Sequence, residues 1–337
     1  MSSHICGPGC SHGVTPAAEK DIKEEFKVAR RSFLRDAMAA SGAAVSAGAL
    51  TASMSPSAFA QSAKPGSGMT SHYYIPASAN TVLWGYFSKS AKPVVEVESG
   101  DFVTIETLTH HANDDAERMV KGDAGAESVF HWDSKKKGVN RRGAGPMDAK
   151  VGAGGGEGVH ICTGPVYIKG AEPGDILEVR IIDCVPRPSA NPLYKGRSFG
   201  SNAAANWGFH YGDTLTEPKK REVVTIYEVD ATGERNWARA VYNYKWTPQT
   251  DPFGVVHPTI DYPGVPVDHR TITKNENVLK NIRIPVRPHF GTMGVAPAEA
   301  EFVTSILPNY TGGNIDNWRI GKGATLYYPV AVKGAMF

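Results

Sequence analysis

IPVRPHFGTMGVAPAEAEFVTSILPNYTGGNID, residues 284–316, reads as a strand, a turn and a second strand-sized run. Gly291, Gly294 and Pro297 punctuate the turn, and the stretch closes on Gly312-Gly313-Asn314-Ile315-Asp316. Two adjacent glycines permit a tight bend, which presents an amide and a carboxylate together. Such a pair suits a cation or a polar small molecule. The plainer alternative is an Asx turn bonding its own backbone.

Working outward, the rest of the chain carries the same β signature. Val103, Ile105 and Thr107 alternate with polar neighbours after Ser99-Gly100-Asp101, and Leu177, Val179 and Ile181 do so after Pro173-Gly174-Asp175. A period of two entered through a turn predicts strands. Further strands are expected at 222–229, 240–244, 281–286 and 325–332. The best of few helix candidates is 298–307, which includes Val303 and Thr304. The expected fold class is therefore mainly β, a β-rich α+β sandwich or barrel with few short helices. Two long connections, 135–158 and 247–267, interrupt the strands. The first is glycine-rich, yet no Lys-Ser/Thr follows it, so it is not a phosphate-binding loop.

Residues 1–60 are set apart as an export signal. Arg30-Arg31-Ser32-Phe33-Leu34-Arg35 is a twin-arginine signature, an Ala/Gly/Ser-rich region follows, and Ala58-Phe59-Ala60 is a cleavage site. The expectation is a periplasmic protein whose folded domain is residues 61–337. The chain of 337 residues has 36 Lys+Arg against 34 Asp+Glu. Without a basic stripe, nucleic acid is not expected as a partner. Without a second long apolar segment, neither is a membrane once the signal is cleaved. Cys162 and Cys184 flank an expected hairpin centred on 170–175, which would let them face each other as a disulfide or stay as two buried thiols.

Potential ligands are dispersed. His160 stands at a loop-to-strand junction, where the strand fixes the backbone and the loop leaves the ring accessible; alone, it reads equally as a solvated turn residue. His110-His111, with Asp114, Asp115 and Glu117 behind, is the densest set. If these histidines lie on a strand they point to opposite faces, so one at most serves a given site, and a solvated loop also explains the acidic residues. His289 precedes a glycine turn that is suited to line a pocket. His210, His257 and His269 carry weaker signals, and His131 beside Trp132 suits packing. Neither a nucleophile elbow nor a HExxH zinc motif is present. No catalytic acid or base is assigned from the sequence.

Thr163-Gly164-Pro165-Val166-Tyr167-Ile168-Lys169-Gly170-Ala171-Glu172-Pro173-Gly174-Asp175-Ile176-Leu177-Glu178-Val179, Gly294-Val295-Ala296-Pro297-Ala298, Gly312–Asp316 and Gly323–Val330 together resemble the acetamidase/formamidase family. The resemblance runs from about Gly100 to Phe337. It implies a β-rich, metal-dependent hydrolase that splits short linear amides into a carboxylate and ammonia, and a homo-oligomer is expected. It also implies that His160, Asn314 and Asp316 line the metal site, with His110 as a further ligand where the family usually has an Asp. From their own positions in glycine turns, His289 and Gly313 are expected to contact substrate. Histidine among the donors favours zinc over calcium or manganese. The family continues past the position of Phe337 into a segment bearing a histidine and acidic residues, so this chain is expected to lack part of that site. The competing expectation is a non-catalytic periplasmic module binding a ligand or partner on the same scaffold.

Overall fold

Alternation in Val223–Val229 is the clearest case of sequence becoming structure. Val224, Ile226 and Glu228 turn inward while their neighbours stay partly exposed. In a computed structural model, which describes residues 70–133, 138–139, 160–204, 222–258, 260 and 264–337, this strand is central in a four-stranded antiparallel sheet. Ser198–Ala204 flanks it on one side and Trp237–Lys245 on the other, with Ile284–Pro285 beyond. Val224, Ile226, Tyr242, Tyr244 and Ile260 form its core. All described residues fall within the unit 56–337; the signal and its boundary at residue 60 lie outside them.

The other described strands form two-stranded pairs, so the protein is mainly β, with several small sheets and few short helices. His72–Ile75 runs parallel to Phe102–Ile105, and Val95–Val97 runs parallel to Val166–Ile168. Ile176–Arg180 pairs with Thr325–Pro329, and Thr292–Gly294 with Gly312–Asn314. Among the described residues, no helix is long and apolar enough to cross a membrane.

Two expectations are overturned. The hairpin around 170–175 does not form: Ile161–Thr163 pairs instead with Val82–Trp84. Cys162 and Cys184 are consequently free thiols, and burial pushes Cys162 up to about 12 and Cys184 up to about 11. Residues 298–307 are not helical. Phe302–Thr304 is a strand against Tyr86–Ser88, where the β-branched Val303 and Thr304 are favoured. The helices lie instead at Ala116–Met119 and Ala124–Val129, each started by an aspartate, Asp115 or Asp123, whose side chain accepts a backbone N–H. The loop 135–158 falls almost entirely outside the described residues, as does His210.

Candidate functional site

Gly85 joins two strand pairs and brings the first two site residues together. Val82–Trp84 on one side of it pairs with Ile161–Thr163; Tyr86–Ser88 on the other pairs with Phe302–Thr304. Its φ of 91° lies where glycine is the favoured residue. Its N–H donates to His160 O at 2.7 Å, and its carbonyl accepts from Ser305 N–H at 2.9 Å. The two residues just outside the strand pairs thus become neighbours. His160 Nδ1 and the fully buried Ser305 Oγ are 2.8 Å apart, which leaves Nε2 as the free ring nitrogen.

The segment carrying His110 and His111 is fixed at both ends. Before it, the Glu106 side chain accepts from Tyr74 Oη and Ala77 N–H and pairs with Arg187 at 2.8 Å. Thr163 Oγ1 donates to Glu106 O at 2.6 Å, tying this loop to the strand that starts beside His160. Leu108 is buried with Trp84 and Ile161, a burial worth about 1.5–3 kcal/mol. After the histidines, a 3-10 turn at Ala112–Asp115 packs on the four-stranded sheet. Tyr242 Oη donates to Asp115 at 2.7 Å, Arg118 pairs with the same carboxylate at 2.7 Å, and His269 Nε2 donates to Asp114 O at 3.1 Å. Asp114 and Asp115 are buried, so the acidic cluster is structural rather than a solvated loop.

The strand ends at Ile105, five residues before His110, so strand alternation does not separate the two histidines. Their rings lie 4.4 Å apart, and His110 meets His160 edge-on at 5.6 Å. Burial, reinforced by the neighbouring His111 and His160, holds His110 well below the usual imidazole range. Burial also lowers His160, opposed by the charge of Asp316. Both rings are therefore neutral near pH 7, the state in which imidazole accepts a proton or binds a metal. His111 differs: its Nδ1 is 3.1 Å from the Asp114 carboxylate, which also accepts from Ser201 Oγ at 2.5 Å.

Asp316 reaches this cluster from the far strand pair. Thr292 Oγ1 donates to Asn314 Oδ1 at 3.1 Å. Gly291 O accepts from Ile315 N–H at 2.9 Å and Asp316 N–H at 3.1 Å. Asp316 takes φ 49°, a left-handed conformation that aspartate tolerates. A β-carbon on Gly291 would stand 2.6 Å from Asp316 Oδ1 and 3.8 Å from Asn314 Oδ1. Both oxygens therefore lie over this bare glycine. Asp316 is exposed and acts on His160 through space. His110 and His160, far apart in sequence, are thus ring neighbours, with Asp316 in electrostatic reach of His160.

Two expected contacts lie elsewhere. Gly313 is buried, and a β-carbon there would come within 3.0 Å of Leu307 O and Pro308 Cα. Its smallness serves the strand pair rather than a substrate. His289 is exposed, donates from Nδ1 to Arg287 O at 2.9 Å and bridges to Gly321. No hydrogen bond or ring contact among the described residues links it to His110 or His160. Among the described residues, no three His, Cys, Asp or Glu side chains are gathered closely enough to hold one metal ion. The donor types do suit one: neutral imidazoles face a carboxylate. Ser305 and Gly85 were not foreseen, because their role comes from non-local pairing that no motif marks.

With this geometry established, comparison with known proteins narrows the chemistry. Residues 156–307 match the family model described as Acetamidase/Formamidase family. The Acetamidase of Mycolicibacterium smegmatis is 28% identical over 195 residues, covering 52% of this chain and 45% of that protein. The Formamidase of Methylophilus methylotrophus is 25% identical over 197 residues, covering 52% and 43% respectively. The chain thus matches less than half the length of either relative. A solved predicted acetamidase/formamidase from Thermoanaerobacter tengcongensis aligns with a TM-score of 0.43 at 22% identity, over 79% of this chain and 59% of that one.

Proposed function

We propose that this chain hydrolyses short linear amides, of the formamide and acetamide kind, to a carboxylate and ammonia. The observation that carries this reading is the gathering of the His110, His111 and His160 rings, with Asp316 in electrostatic reach of His160, in a chain whose curated relatives bear the names acetamidase and formamidase.

Hydrolysis needs a water deprotonated as it attacks the carbonyl and a proton delivered to the departing nitrogen. His111 suits the shuttle. The buried Asp114 holds its Nδ1 proton and fixes the tautomer, so Nε2 is free to take a proton from water and return it. Ser305 orients His160 in the same manner from the other side. The donors that suit a divalent cation, zinc by chemistry, are His110, His160 and Asp316, which among the described residues are not gathered closely enough to share one ion; such a cation would polarise the amide carbonyl and draw the pKa of a water toward ~7. The twin-arginine segment supports a second proposal, export to the periplasm, which cell fractionation and the mass of the secreted N-terminus would test. Assembly as a homo-oligomer remains a proposal for light scattering.

Ammonia release from formamide and acetamide is the test. The full chain should release ammonia with stoichiometric divalent metal bound, and His160→Ala should slow release by about 10³-fold while lowering the metal content. If the folded, metal-loaded protein releases none from any short amide, the hydrolytic reading fails.

A further inference from the structure

A separate cleft, with a cavity of about 520 Å³, opens beside Trp318. Four cations line it, Arg235, Arg287, Arg319 and Lys322, against two carboxylates, Asp183 and Glu234. In a chain with 36 basic and 34 acidic residues, that is a local surplus of positive charge. Asp183 is already engaged: Arg235 donates to both its oxygens at 2.8 Å, and Lys322 stands 3.6 Å away. Arg287 and Arg319 instead crowd one indole, their guanidinium carbons 4.4 and 4.3 Å from the Trp318 ring centre. Neither has a carboxylate partner among the described residues. Two like charges over one ring lie within about a Debye length (~10 Å at 0.1 M salt) and repel. Trp318 itself is 44% exposed.

The frame around these groups is held by the backbone. Val286 N–H donates to Asn236 O at 2.8 Å, Phe290 N–H to Ile320 O at 3.2 Å and Gly323 N–H to Ile181 O at 2.8 Å. The Asp230 carboxylate accepts from Gly233 and Arg235 N–H at 2.9 and 2.8 Å, fixing the loop that presents Arg235. The segments that carry the cations and the indole are thus held before any ligand arrives, which limits the ordering cost of binding to the side chains.

We propose that this cleft binds a small organic carboxylate with a flat apolar body, its carboxylate held by Arg287 and Arg319 and its body packed against the exposed part of Trp318. Guanidinium forks match carboxylate geometry, and an anion between the two relieves their repulsion. The cavity lies within the roughly 300–1,000 Å³ of drug-sized sites. A bare oxyanion leaves the indole uncovered, whereas an aromatic acid also packs against its exposed surface. This inference does not depend on amide hydrolysis, because its readout is binding.

Isothermal titration of the full chain with benzoate, acetate, benzamide and inorganic phosphate tests it. Benzoate should bind at least 10-fold more tightly than the other three. Arg287→Ala and Arg319→Ala should each weaken benzoate about 10-fold, and Trp318→Ala should erase its advantage over acetate. The Arg287→Lys and Arg319→Lys variants, which keep the charge and are expected to fold, should weaken benzoate at least 3-fold through loss of the fork. Phosphate binding as tightly as benzoate, or benzoate affinity unchanged in both lysine variants, overturns the proposal.

Discussion

Around His110 and His111 the supporting groups are buried and paired from two directions, whereas around Asp316 they are backbone amides on an exposed turn. The histidine side rests on Asp115, which is fully buried and bonded to Arg118 and Tyr242, and on Glu106, which is locked by Tyr74, Ala77 and Arg187. The aspartate side rests on one carbonyl, Gly291 O, and on the room left by the missing β-carbon of that glycine. The difference teaches where each half is vulnerable. Damage under the histidines unfolds the protein, while damage at the turn misplaces a carboxylate and leaves the fold standing.

That contrast can be broken at three points. Asp115→Ala should cost most, about 3–5 kcal/mol in a urea unfolding curve, because it strips the partly buried Arg118 of its carboxylate, leaves the buried Tyr242 hydroxyl without its acceptor and removes the cap of the helix Ala116–Met119. A loss under 1 kcal/mol would mean the histidine segment does not depend on this network. Gly291→Ala should act in the opposite way. The new methyl displaces Asp316 Oδ1, so ammonia release should fall about 10²-fold while stability shifts by less than about 1 kcal/mol. Equal activity would show that the position of Asp316 is immaterial.

Acidification sharpens the comparison further. His110 is depressed in the folded state, so below the ordinary histidine pKa of about 6.5 the unfolded chain binds a proton that the folded chain refuses. Stability should therefore be fully present above that pH and be lost as pH falls, with a slope of up to about 1.4 kcal/mol per pH unit for one proton. His110→Gln should flatten the slope between about pH 6.5 and 5. Asp316→Asn should not flatten it, since it leaves His110 unaltered and only depresses His160 further.

How much of this was legible in the sequence depends on the range of the forces involved. The strands at Val223–Val229 and Ile176–Arg180 announced themselves because alternation is local. Their partners did not. Cys162 was expected opposite Cys184 across a hairpin, yet its strand pairs with residues 82–84, some eighty positions earlier. The run at Phe302–Thr304 carried β-branched residues whose meaning emerged only when Tyr86–Ser88 lay beside it. In the site, His110, His160 and Asp316 were nominated by residue type and family resemblance; the structure sets the rings of His110 and His160 side by side and leaves Asp316 in electrostatic reach of His160. The pairing of His160 with Ser305 was invisible, since it is created by the turn at Gly85. The separation of His110 from His111 was misjudged because the strand stops at Ile105, and only a strand would turn the two rings apart.

The central claim is that Asp316 and His160 belong to one site, and the pKa of the His160 ring tests it most directly. Titrated by NMR, this ring should be harder to protonate in Asp316→Asn than in the unaltered protein, because the carboxylate that raises its pKa is gone. An identical titration in the two proteins would place Asp316 out of electrostatic reach and contradict the account.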